Sequence, residues 1–354
     1  MPHVLDEPGF VTRLDPKGMY SLTEAFPDQC RKALEIARGV AMPDLEARPN
    51  VVTLSGLGGS AAGGDLVRAI FEANGSAPFL VNRDYTLPNF VGLGDLVFCA
   101  SYSGNTEETL SAYQSAKKSA ARIICVTSGG KLAEMAHADG NTVIEIPGGQ
   151  PPRTALGYMF IPVLSACERL NLVPQQDYES AFSVLEECVK RWSVSVPLKE
   201  NQPKQLADAM HGRVGVLYGL GSYQATVANR WKGQINENAK NMASANAFPE
   251  LNHNEILGWV KATEQGVSQW IALFLEDGTE SEKMKARARV TEQLISKAAK
   301  VFRVKAEGQS LLQRMLSLTF FGDFLSLYLA ALNGVDPENI DSINVLKSEL
   351  AKID

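Results

Sequence analysis

The strongest constraint in this 354-residue chain is a pattern that occurs twice. Val51–Gly64 (VVTLSGLGGSAAGG) and Val214–Thr226 (VGVLYGLGSYQAT) each read as a short β-branched run, then Gly-Leu-Gly, then small or polar residues opening a helix. Around each copy, strand-like runs alternate with helix-length segments. The runs are Val51–Ser55, Phe79–Asn82, Leu96–Ala100, Arg122–Thr127 and Thr142–Ile146, then Val214–Tyr218, Ser268–Phe274 and Lys300–Lys305. Such alternation predicts parallel sheets covered by helices on both faces, so the expected fold is α/β with two lobes, each a flavodoxin-like parallel sheet flanked by helices. The chain is also longer than a single core usually grows.

The expected organisation is an N-terminal helical segment over 1–47, a first lobe over 48–150, connecting helices over 151–200 and a second lobe over 201–354. Arg153–Leu170 and Tyr178–Trp192 read as the connecting helices. Ligands of open α/β sheets sit beyond the carboxyl ends of the strands, so the loops after each strand are where chemistry is expected.

Composition removes several function classes. The formal charge is −6 and the pI about 5.5, which gives no reason to expect a nucleic acid. The N-terminal stretch has no basic start followed by an unbroken apolar run, and the chain is expected in the cytoplasm. The apolar stretch from Met315 to Leu332 is interrupted by Asp323 and preceded by Arg314, which predicts a buried core helix and no membrane partner. Cys30, Cys99, Cys125, Cys167 and Cys188 form no CxxC pair and are expected as reduced thiols, three of them in apolar runs. His3, His137, His211 and His253 are dispersed, so no protein-built metal site is expected.

The first loop, Gly56 to Gly64, joins a strand to a helix. Taken alone, Gly56-x-Gly58-x-x-Ala61 fits a dinucleotide fingerprint, although glycines needed only for close packing read the same way. The second strand ends in Asn82-Arg83 where an NAD site wants an acid, which leaves an NADP-binding oxidoreductase as one rival. The second loop, Ser101-Tyr102-Ser103-Gly104-Asn105-Thr106-Glu107-Glu108-Thr109, puts several hydroxyls at a helix start. Their donors and the helix N-terminus suit a phosphate dianion. The bland alternative is an ordinary cap by Ser103 or Asn105 with Glu108. No GxxxxGK[ST] is present, so a phosphomonoester fits better than a nucleoside triphosphate.

This SxSGxT-type loop resembles that of sugar isomerase (SIS) domains. Arg230 to Lys240 (RWKGQINENAK), Asn252-His253-Asn254-Glu255, Pro152 to Gly157 and Ile343 to Lys347 extend the likeness over roughly residues 48–350. Together these motifs are similar to the bifunctional phosphoglucose/phosphomannose isomerases of archaea and bacteria. The resemblance implies reversible aldose–ketose isomerisation of glucose 6-phosphate, and of mannose 6-phosphate, to fructose 6-phosphate through a cis-enediolate, with no cofactor. It implies a homodimer with His253 contributed across the interface. It makes Gly59, Ser60, Ser101, Ser103 and Thr106 the substrate-binding residues, Glu237 the base, Arg153 the cation opposite the enediolate, and His253 and Lys347 participants in ring opening. Asp336 to Ile340 offers no unambiguous hydroxyl for mannose, which leaves that substrate open. A non-enzymatic phosphosugar-sensing SIS module is the second rival.

Each residue also has a structural reading. Glu237 falls on a polar helix face with Arg230, Gly233 and Asn241, opposite the apolar Ala228, Trp231, Ile235, Ala239 and Met242. A solvated face would look the same, and Glu250 and Glu255 are the carboxylates that would replace Glu237 as base. Arg153 at a helix start opposes the macrodipole and reads as half of a salt bridge. His253 could be a structural hydrogen-bonding residue. Lys347, at the edge of the stripe Ile340, Ile343, Leu346, Leu350 and Ile353, could simply snorkel.

Overall fold

The computed structural model describes residues 3–350 and Lys352. The chain opens with helices α1 (Met19–Glu24) and α2 (Phe26–Gly39). A first alternation follows: β1 (Val52–Ser55), α3 (Gly58–Asn74), β2 (Phe79–Asn82), β3 (Leu96–Ser101), α4 (Glu107–Lys118), β4 (Arg122–Thr127), α5 (Gly130–Ala138) and β5 (Thr142–Glu145). Helices α6 (Leu156–Arg169), α7 (Tyr178–Trp192) and α8 (Gln202–Met210) come next. The second alternation is β6 (Val214–Gly219), α9 (Ser222–Ala239), β7 (Ala243–Ala247), α10 (Glu255–Gly258), β8 (Trp270–Glu276), α11 (Glu282–Ile295) and β9 (Lys300–Lys305). Helices α12 (Leu311–Leu332) and α13 (Asp341–Leu350) end it.

The strands form two parallel sheets, ordered β2-β1-β3-β4-β5 and β7-β6-β8-β9. Both sheets place their first strand second, which is the structural form of the sequence echo. Strand β7 escapes a sequence reading because Ala-Ser-Ala-Asn-Ala lacks the β-branched and aromatic residues that favour strands. It is nevertheless the counterpart of β2, pairing with β6 from Gly215↔Ala243 to Gly219↔Ala247.

By contact, the chain divides into one unit of Ala25–Glu186 with Gly308–Leu316, and another of Met1–Glu24, Glu187–Glu307 and Ser317–Asp354. This departs from the four contiguous segments expected. In the first unit, α2 and α6 are part of the core, not an outlying layer and a connector. A Cβ on Gly157 of α6 would stand 2.8 Å from Gln29 Oε1 of α2, and one on Gly63 of α3 would stand 2.7 Å from the Met159 carbonyl. Continuous burial from Leu156 to Cys167 explains why α6 carries hardly a polar residue there.

In the second unit, the chain before Glu24 is pinned by the fully buried Lys204, whose Nζ donates to the carbonyls of Leu5 (2.8 Å) and Val194 (2.9 Å) and pairs with Asp6. Helix α12 is long and apolar enough to span a bilayer, yet its apolar window is 94% buried in the protein. Within this unit, Trp231 of α9 stacks on Phe321 with ring centroids 5.3 Å apart and donates its indole N–H to the Leu318 carbonyl.

Successive strand residues point to opposite faces, which separates two layers of the second sheet. Tyr218 joins Phe248, Leu251, Trp259, Phe274, Ala288 and Ile295 in one core, with the 248–267 segment and α11. The next residue, Gly219, faces the other way: a Cβ there would lie 2.2 Å from the Ala225 nitrogen of α9.

Candidate active site

In the first unit the sheet order reverses between β1 and β3, the point at which open α/β sheets form a ligand crevice. The loops that leave these two strands carry Gly59, Ser60, Ser101, Ser103 and Thr106, and the structure brings them together. Ser60 Oγ accepts the Tyr102 N–H at 3.3 Å, tying one loop to the other. Ser101 and Thr106 hydroxyls are 2.8 Å apart, and Ser101 Oγ also accepts the Gly104 N–H. Gly59 lies directly against the Pro152-Arg153 turn, since a Cβ there would be 2.9 Å from the Pro152 carbonyl and 3.7 Å from Arg153 Cα.

The capping alternative fails on the observed bonds. Thr106 is the N-cap of α4 and its side chain makes no cap hydrogen bond. Ser103 Oγ accepts the Asn105 N–H within the loop, and the Asn105 amide bridges the Ser103 carbonyl and the Lys131 N–H. Helix α3 likewise begins without a side-chain cap. Two helix N-termini with their positive ends left uncapped, flanked by hydroxyls, make a setting that favours a doubly charged anion.

A further loop, Thr127-Ser128-Gly129-Gly130 after β4, braces this site and was not singled out from the sequence. Ser128 Oγ donates to the Tyr102 carbonyl at 2.6 Å, and the Leu132 N–H reaches the Gly104 carbonyl. Gly104, at φ 69°, has the Gly129 carbonyl where a Cβ would stand, only 1.8 Å away. The readable signal is a hydroxyl pair followed by two glycines between a strand and a helix. Tyr102 is a second such residue: its phenol accepts the Gln150 N–H, and burial raises its pKa.

Gly56, Gly59, Gly63 and Gly64 of the first loop serve protein packing. A Cβ on Gly56 would stand 2.7 Å from the Ala100 carbonyl and one on Gly64 would meet Leu54, while Arg83, the cation that an NADP site would use, is ion-paired with Asp65. Arg153 is 5% exposed and sits in a 3₁₀ turn, Pro152–Thr154, because α6 begins only at Leu156. It therefore does not occupy the first turn of the α-helix, as the sequence suggested.

The second unit carries Glu237, His253 and Lys347 on three separate elements. Glu237 is half-buried in the last turn of α9. Its expected companion on a solvated face, Arg230, is instead buried, donating to both oxygens of Asp323 on α12 at 2.9 and 3.2 Å. Arg230, Gln234 and Asn238 form the side of α9 that packs on α12, whereas Gly233 has open space beside it. Met242 is 70% exposed, since the helix ends before it could join the apolar face.

His253 is exposed at the end of a 3₁₀ turn, Glu250–His253, in the layer on the opposite side of the sheet from α9. Lys347 lies on α13, which buries none of its residues within this chain. Of its stripe, Ile353 lies outside the described residues. Asn252 Nδ2 donates to Thr291 Oγ1 at 2.8 Å, and both Glu255 oxygens are held, by Tyr218 and by Asn246.

Comparison with known proteins agrees with this architecture. Residues 199–350 match the bacterial phospho-glucose isomerase C-terminal SIS domain. A bifunctional phosphoglucose/phosphomannose isomerase of Caldicellulosiruptor bescii is 40% identical over 338 residues, covering 95% of this chain and 99% of the relative. The similarly named protein of Aquifex aeolicus is 36% identical, over 85% of this chain and 90% of its own. Among solved structures, a hypothetical protein from Thermus thermophilus superposes with a TM-score of 0.74 at 17% identity, covering 97% of this chain and 93% of the other. With two repeated parallel sheets, hydroxyl-bearing loops at the switch point of the first and near-full-length likeness at this level of identity, the chain belongs to the bifunctional phosphoglucose/phosphomannose isomerase family.

Proposed function

We propose that this chain interconverts glucose 6-phosphate and mannose 6-phosphate with fructose 6-phosphate. The observation that carries the reading is the 40% identity to an enzyme of that name across 95% of the chain. The uncapped α4 with its paired Ser101 and Thr106 hydroxyls supports a phosphate-bearing substrate.

In this mechanism Ser101, Ser103 and Thr106, with Gly59 and Ser60, hold the 6-phosphate, a group that does not react. His253 and Lys347 move the protons that open the sugar ring and expose the C1 aldehyde. Glu237 then takes the C2 proton, leaving a cis-enediolate, and returns it at C1 to give the ketose. Half-burial suits a carboxylate that must both take and give a proton. Arg153 is the cation opposite the enediolate oxygens. Glucose and mannose 6-phosphates differ only at C2, so both lead to the same intermediate.

The active form is a homodimer in which His253 serves the partner's site. Supporting this, α9 and the 248–267 segment pack on opposite faces of one sheet, and His253 is exposed within its own chain. Helix α13 also leaves Ile343, Val345, Leu346 and Leu350 exposed for burial by a second copy. Five buried free thiols suit a reducing, cytoplasmic setting.

The test is a coupled assay for fructose 6-phosphate formed from each aldose, run with and without EDTA. Turnover of both sugars, unchanged by the chelator, is expected. No turnover of either sugar, or turnover lost to EDTA and restored by Zn²⁺, overturns the reading.

A further inference from the structure

Beyond the catalytic and phosphate-binding groups named above, the second unit contains a directional hydrogen-bond chain around Glu255. The Trp259 indole N–H donates to the Tyr218 hydroxyl at 3.0 Å, so that hydroxyl must pass its own proton onward, and its neighbour is Glu255 Oε1 at 2.5 Å. From the other side, the Asn246 side-chain Oδ1 accepts the Ala247 N–H at 2.8 Å. This fixes the Asn246 amide so that Nδ2 donates to Glu255 Oε2 at 2.5 Å. Both carboxylate oxygens are therefore acceptors, each met by a donor whose direction its other partner fixes. Tyr218 is fully buried, and burial together with Glu255 keeps its phenol protonated.

We propose that Glu255 is a positioning residue whose carboxylate, clamped between Tyr218 and Asn246, fixes the segment that presents His253. The proposal rests on the ring-opening role given above to His253, and it removes Glu255 as an alternative base. The geometry fits: Glu255 begins the helical turn two residues after His253, and on the other side Leu251 is locked in the core with Tyr218, Phe248 and Phe274. Asn252 is tied to Thr291. His253 thus projects from a short span held at both ends, whichever copy's substrate it meets.

The experiment exploits the direction of the bonds. Glu255→Gln puts a donor against either the Asn246 amide or the already committed Tyr218 hydroxyl. The double variant Asn246→Asp with Glu255→Gln reverses one donor and one acceptor, restoring complementarity without restoring a carboxylate at 255. Glu255→Gln should lower kcat by about tenfold with KM little changed, and the swap should recover most of it. In a His253→Ala background, Glu255→Gln should have no further effect on kcat, because the residue it positions is gone.

Amide exchange over 250–256 gives a readout independent of activity: protection should fall in Glu255→Gln and return in the swap, with the global unfolding midpoint nearly constant. Unchanged protection in the single variant, a swap as impaired as the single variant, or fully additive losses with His253→Ala would each overturn the clamp. If His253→Ala keeps normal turnover while protection still responds as described, the clamp stands and the role of His253 alone is withdrawn.

Discussion

The hydroxyls of Ser101 and Thr106 lie 2.8 Å apart at the head of a helix whose N-cap residue, Thr106, makes no capping bond. A buried serine and a half-buried threonine kept in this arrangement contribute little to the helix itself. In the proposed function they hold an anion at the helix N-terminus.

Replacing Ser101, Ser103 and Thr106 together by Ala should therefore raise KM for fructose 6-phosphate far more than it lowers kcat, since the phosphate is gripped alike in ground and transition states. Steady-state kinetics on the refolding-competent triple mutant checks this. An unchanged KM would reduce the loop to a structural turn.

Gly104 should be the least replaceable residue of that loop. Its φ of 69° is strained for any L side chain, and an added Cβ would meet the Gly129 carbonyl at 1.8 Å. Gly104→Ala should separate the phosphate loop from the Thr127–Gly130 brace, weakening substrate binding and lowering the melting temperature together. Ser103→Ala, at an exposed position in the same loop, should leave the melting temperature close to wild type.

Glu237→Gln keeps the shape of the side chain and removes the proposed base. Turnover should fall by roughly a hundred- to ten-thousand-fold with substrate still bound, and exchange of the C2 proton with solvent should disappear in parallel. Isothermal titration and proton exchange followed by NMR separate binding from chemistry. Near-normal exchange in the mutant would return attention to Glu250, because both Glu255 oxygens are already occupied as acceptors.

How much of this was legible beforehand depended on whether the signal was local. The β1–α3 and β6–α9 units were readable because each concentrates a strand, a turn and a helix start in a single short run of residues. β7 was not, since its small residues become a strand only by pairing with β6. The hydroxyl loop could be read as a phosphate site, yet the brace from Ser128 to Tyr102 joins residues that meet only when β3 and β4 pair. Arg230 was misplaced for a similar reason. Helical phasing places Arg230 on a polar face, but only the packing of α12 decides that this residue is buried.

That buried pair leads to a stability prediction. Asp323 accepts from Arg230 and from Gln234 in a site that water barely reaches, and burial raises its pKa despite both donors. Asp323→Ala removes the acceptor for two buried polar groups at once and should destabilise the protein by roughly 3–5 kcal/mol. Urea denaturation followed by tryptophan fluorescence would measure it, Trp231 being packed on the adjoining turn. A loss below about 1 kcal/mol would place the pair among interactions that specify the fold without stabilising it.

The proposed sharing of one site between Glu237 of one copy and His253 of the other is directly testable. Glu237→Gln and His253→Ala should each be nearly inactive alone. Mixed under conditions that exchange subunits, they form hybrid dimers in which one site has both residues intact and the other has neither. Random reassortment makes half of the dimers hybrids with one working site of two, so about a quarter of wild-type activity should return. The recovery should follow the rate of subunit exchange, measured independently by fluorescence transfer between labelled copies. Exchange without recovery would mean that both residues serve a site within one chain, or that His253 holds structure only, and the homodimeric site would be abandoned.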